Sequence, residues 1–141
     1  MRLYNTLTRR EELFTPSRGQ LVRMYTCGLT VYARGHIGNF RTFVALDVLR
    51  RALRYEESYE VQQIMNFTDV DDRTITASRA AEMSLRDYTN QYIEAFREDA
   101  LTLGLEPAEE QPRATDEVNL RAMSEMIQAL EANGHTYRRA G

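Results

Sequence analysis

The chain has 141 residues, a formal charge of −3, 43% hydrophobic and 28% charged side chains, which fits a globular chain and excludes a disordered one. Its longest purely apolar run, Phe43 to Leu46, is four residues, and the opening MRLYNTLTRREELF has no apolar core of a secretory signal, so a cytoplasmic, non-membrane protein of one domain is expected. A lone cysteine, Cys27, excludes an intrachain disulfide, and all 18 basic residues are arginine, which excludes a Walker lysine or a Schiff-base lysine in these residues.

Residues 1–20 are polar and broken by Pro16 and Gly19, predicting an irregular lead-in with room for one short strand. Leu21 to Cys27 carries β-branched and aromatic residues and meets Gly28, the pattern of a strand ending in a turn. From Asn39 to Tyr55, Phe40, Phe43, Val44, Leu46, Leu49 and Leu53 recur at helical spacing, and Arg50, Arg51 and Arg54 suit the negative helix end. Tyr59 to Phe67 reads as a second strand, so strand, helix and strand form a βαβ unit with a parallel sheet. Arg73 to Met83 reads as a helix, and Ser84 caps a longer one that Gly104 closes. Thr115 opens a last helix with Leu120, Met123, Ile127 and Leu130 on one stripe, and His135 to Tyr137 reads as the start of a new strand.

Two turns could carry chemistry. Cys27 to Tyr32, followed by His36-Ile37-Gly38-Asn39 at the mouth of the long helix, places free backbone N–H groups beyond a strand end, where an anion can bind. The plainer reading is that Gly35, Gly38 and Asn39 shape a strand-to-helix turn and that Cys27 is a small buried hydrophobe. The second turn, Asn66-Phe67-Thr68-Asp69-Val70-Asp71-Asp72, could hold a divalent ion, although Asp71 and Asp72 at a helix start also satisfy its dipole. Arginine clusters at 50–54 and 138–139 could meet RNA phosphates or form a solvated face.

MYTCGLTVYARGHIGNFRTFVALDVLRRALRY followed by NFTDVDD resembles the first half of the catalytic domain of cysteinyl-tRNA synthetases, class I aminoacyl-tRNA synthetases. YNTLTRREELF, PRAT at 112–115 and GHTY at 134–137 resemble family segments in the same order, so the likeness runs through essentially the whole chain. It implies an α/β fold, the first half of a Rossmann-like catalytic domain, with residues 1–141 ending near the family's connective insertion. By the resemblance, Cys27 is the first ligand of a zinc ion that recognises the cysteine thiolate, a far better ligand for it than a serine hydroxyl. His36 and Asn39 match the outer positions of the HIGH motif and imply a catalytic role. With Gly38 they imply ATP binding, while Gly28 and Thr68 match positions lining the cysteine pocket.

The family's other zinc ligands, a cysteine, a histidine and a glutamate, and its KMSKS loop fall in the second half of the domain. The reaction implied is activation of cysteine by ATP and transfer to tRNA-Cys, with weak or no activity in this chain alone. Two other readings stand beside it: a mycothiol-pathway ligase that joins cysteine to an amino sugar, and a non-catalytic module. In the latter, an exposed sheet edge pairs with a complementary chain or a second copy.

Overall fold

A computed structural model describes residues 1–139. The lead-in is a hairpin: β1 (Arg2–Asn5) pairs antiparallel with β2 (Arg10–Leu13), Arg2 opposite Leu13 and Asn5 opposite Arg10. The expectation of an irregular segment failed because REEL has no apolar alternation to mark a strand. Its ends are fixed instead by Asn5, whose Oδ1 accepts from Leu7 N at 3.0 Å, and by Arg9 at φ 56°.

The βαβ unit is present as predicted. β3 (Leu21–Thr26) and β4 (Glu60–Met65) are parallel, Leu21 opposite Glu60 and Thr26 opposite Met65. Between them runs α1 (Ile37–Arg51), prolonged by a π-helical turn at Ala52–Glu56. Residues 110–114 then run parallel along the other edge of β4: Met65 N donates to Glu110 O at 3.0 Å and Phe67 N to Pro112 O at 2.9 Å. α2 (Asp72–Ala80) and α3 (Leu85–Thr102) lie between these segments in sequence, and α4 (Glu117–Ala132) follows.

Phe40 and Phe43 project from α1 at helical spacing and meet Phe96 of α3 at ring-centroid distances of 5.6 and 4.9 Å. Phe67, just beyond β4, closes the cluster at 5.5 Å from Phe96. Leu29, Val31, Met65 and Ile93 complete this core, so the helices are held to the strand ends by aromatic packing. A smaller cluster of Val22, Leu53 and Val61 takes in Met1 and Phe14, which anchors the hairpin.

Helix ends follow local chemistry. Ser84 Oγ accepts from Asp87 N at 3.0 Å to cap α3, and Gly104 at φ +69° ends it in a conformation that favours glycine. Asp116, not Thr115, precedes α4, because Thr115 is turned toward Asp69. The expected strand at His135–Tyr137 is absent from residues 135–139; His135 N instead donates to Leu130 O at 2.9 Å, finishing the helix.

The arginines closing α1 sit in its last turns as expected and are tertiary ties as well. Arg50 is buried, donating to Glu106 O, Pro107 O and the Glu109 carboxylate. Arg54 pairs with Glu106 at 2.8 Å and Glu109 at 3.0 Å. That cluster is therefore occupied by carboxylates and is not a free phosphate-binding face. No helix among the described residues is long and apolar enough to cross a membrane.

Candidate active site

A cleft of about 420 Å³ opens beyond the carboxyl end of β3. Cys27, Gly28, Thr30 and Tyr32 form one side, His36 and Asn39 the mouth of α1, and Arg73 of α2 a further wall. Four of the residues singled out from the sequence (Cys27, Gly28, His36 and Asn39) thus line one cavity. Gly38 and Thr68 are not part of its lining. A second, mainly apolar cavity of about 300 Å³ lies between α1 and α3, and Phe43 walls both.

His36 is the N-cap of α1. Its Nδ1 accepts from Gly38 N at 3.1 Å, and Asn39 Oδ1 accepts from His36 N at 3.0 Å, a reciprocal capping box. The first bond makes Nδ1 an acceptor, so in the neutral imidazole the proton sits on Nε2 as a donor. Likewise Asn39 spends its oxygen on the cap and keeps its amide N–H groups. Gly38 has a physical reason as well: a Cβ there would meet His36 Cε1 at 3.0 Å. The tetrapeptide therefore builds a helix N-terminus whose two side-chain donors have no acceptor among the described residues, an arrangement suited to an anion.

The strand ends are equally constrained. A Cβ on Gly28 would lie 1.8 Å from Asn66 O, so only glycine lets the chain after β3 approach that after β4. Asn66 Oδ1 accepts from Gly28 N at 3.3 Å and Tyr25 Oη at 3.0 Å, while its Nδ2 donates to Thr68 Oγ1 at 3.3 Å. Thr68 is held by its backbone too, donating N–H to Leu29 O and accepting from Val31 N, both at 3.1 Å. Asn66 orients this junction, a role that a single asparagine in a strand-like run did not signal.

The acidic turn divides by function. Asp71 caps α2, accepting from Thr74 N at 2.7 Å, and Asp72 occupies its first turn, as the dipole reading expects. Asp69 turns inward and is completely buried. It accepts from Arg113 Nε at 2.8 Å, Thr115 N at 3.0 Å and the Thr115 hydroxyl. Burial pushes its carboxyl up, but the Thr115 and Arg113 bonds outweigh this and hold it below its ordinary value. Among the described residues no three His, Cys, Asp or Glu side chains gather as a metal cluster. PRAT is thus the lock on the Asp69 turn.

Cys27 is exposed, not a buried hydrophobe, with Sγ 3.6 Å from Gly28 O. Zinc closes its shell with four ligands, so these residues supply one donor and do not by themselves fit a zinc site. The loop between β3 and α1 is tied to α3. Arg34 forms a two-pronged pair with Asp99 at 3.0 and 2.7 Å, and Tyr88 Oη donates to Tyr32 O at 3.0 Å.

The fold is shared with solved class I synthetases. Methionyl-tRNA synthetase of Mycobacterium tuberculosis in complex with methionyl-adenylate superposes with a TM-score of 0.74 at 19% identity, covering 82% of this chain and 22% of that one. The LeuRS-tRNA-LeuAMS ternary complex of Agrobacterium radiobacter K84 gives 0.70 at 18% identity, covering 82% and 15%. Parallel strands, crossover helix and strand-end cleft are the α/β fold this chain shares with those two synthetases. More narrowly, residues 13–141 match the family described as tRNA synthetases class I (C) catalytic domain, and the chain belongs to that family. It is 49% identical to the cysteine–tRNA ligase of Brachyspira hyodysenteriae over 98% of its length, and 43% to that of Methanosarcina mazei over all of it. It spans only 28% and 29% of those two proteins.

Proposed function

We propose that this chain provides the ATP- and cysteine-facing first half of a cysteine–tRNA ligase site. The observation that carries the reading is the single cleft joining the exposed Cys27 thiol to the His36–Asn39 helix mouth. In the reaction, the cysteine carboxylate oxygen attacks the α-phosphorus of ATP and pyrophosphate leaves; a hydroxyl of the terminal ribose of tRNA then takes the acyl group from the adenylate, and AMP leaves. His36 Nε2–H, the Asn39 amide and the N-terminus of α1 would face the phosphate oxygens, where preorganised donors stabilise developing negative charge. Gly38 permits that close approach. Gly28 would form part of the floor on which cysteine sits, and Thr68, outside the lining, would act on it through Asn66, which bonds both.

Cys27 would be one ligand of a zinc ion whose other ligands lie outside these 141 residues. The relatives' names favour tRNA over an amino sugar as acceptor.

ATP–pyrophosphate exchange by the isolated chain tests the half-site reading. Weak ligand binding with little or no cysteine-dependent exchange is expected, and robust exchange would overturn it.

A further inference from the structure

The charge pattern around the cleft singles out a side chain that the motifs left aside. Among the lining residues Arg34 and Arg73 are cationic, and none is acidic. Arg34 is already neutralised by its paired bonds to Asp99. Arg73 pairs with no carboxylate among the described residues; its guanidinium lies 5.2 Å from the Tyr32 ring centroid and its Nη1 3.5 Å from Tyr32 Oη. Neither contact neutralises a charge. Of the nearby acids, Asp69 is locked to Arg113 and Thr115 and Asp71 caps α2, while exposed Asp72 in the first turn of α2 makes no ion pair with Arg73 among the described residues. An exposed guanidinium resting on an aromatic ring keeps its fork of N–H donors available while losing little freedom on binding. On the α1 side stand the His36 and Asn39 donors, so a ligand in the cleft meets positive or donating groups from two elements.

We propose that Arg73 is an oxyanion-binding side chain of this cleft, with Tyr32 as the platform that aims it. The inference rests on the nucleotide and amino acid reading above and deepens it. The oxyanion is either a phosphate of the nucleotide or the carboxylate of the amino acid, both of which a guanidinium fork accepts.

The test is titration of the full 141-residue chain, wild type and Arg73→Gln and Arg73→Lys, with inorganic tripolyphosphate, with cysteine and with cysteamine. One charge-assisted hydrogen bond is worth about tenfold in affinity at an exposed site. Arg73→Gln is therefore expected to weaken tripolyphosphate or cysteine about tenfold, Arg73→Lys less, and cysteamine not at all. Loss confined to tripolyphosphate assigns the phosphate, and loss confined to cysteine assigns the carboxylate.

Equal affinity in wild type and Arg73→Gln overturns the proposal, as does a wild-type chain that binds neither oxyanion. A lowered thermal midpoint with unchanged affinities also overturns it, leaving Arg73 only a packing role against Tyr32. Adenosine, titrated in parallel, reports on the broader reading. If wild type binds oxyanions through Arg73 but adenosine nowhere in the cleft, the nucleotide reading fails while Arg73 keeps its role.

Discussion

Gly28 has no space for a side chain, since Asn66 O stands 1.8 Å from where its Cβ would be. No rotamer relieves a clash between backbones, so Gly28→Ala must part the chain segments that follow β3 and β4. The expected cost is about 2–3 kcal/mol, read as a lower urea midpoint at unchanged slope. Asp69 makes the second residue-level prediction. Its carboxyl is held below its ordinary value when folded, the Thr115 and Arg113 bonds outweighing the opposing effect of burial. Its stabilising contribution is therefore complete above the unfolded value of about 3.9 and is lost as pH falls through the lower folded value. Asp69→Asn should flatten that acid limb in denaturation curves below about pH 4. At pH 7 it should cost about 3 kcal/mol, because Arg113 is left without its buried partner. Reading the motif was enough to mark Cys27, Gly28, His36 and Asn39, since their chemistry is local. It set Asp71 and Asp72 at the helix start but gave Asp69 no role of its own, because what distinguishes Asp69 is Arg113, 44 residues away.

At the scale of elements, α1 is defined at its start by the His36–Asn39 box and along its length by Phe40 and Phe43. His36→Ala removes the cap bond to Gly38 N and should cost about 1 kcal/mol, visible in thermal melts. Phe96→Ala deletes the ring that Phe40, Phe43 and Phe67 all pack against and should cost about 3–5 kcal/mol. A loss under 1 kcal/mol would show that the aromatic cluster does not hold α3 to the strand ends. The helical repeat of apolar residues made α1 legible, and the stretch Tyr59 to Phe67, with Val61 and Ile64 among polar residues, made β4 legible. The hairpin and the parallel segment at 110–114 were not, because each draws its order from a neighbour. In the latter, Pro112 and Arg113 interrupt any strand pattern, and pairing with Met65 and Phe67 supplies what local sequence lacks.

Over the whole molecule, α4 stands apart. It buries none of its residues, and Leu120, Met123, Ile127 and Leu130 remain exposed. Substituting Leu120 and Ile127 together by Glu should leave stability within about 0.5 kcal/mol; a larger loss in a urea titration would mean that this stripe is packed. The rest of the chain converges on one place. The aromatic core fixes α1 and α3 at the strand ends, the Arg34–Asp99 pair fixes the loop between β3 and α1, and the Asp69 lock fixes the turn into α2. Together they set the cleft. Titration of the isotope-labelled chain with ATP, followed amide by amide, tests this most directly. Shifts centred on His36 to Asn39, spreading to Cys27–Tyr32 and Arg73, are the predicted result. Saturating ATP that leaves those amides unmoved, or that shifts only those around the apolar cavity between α1 and α3, would contradict it.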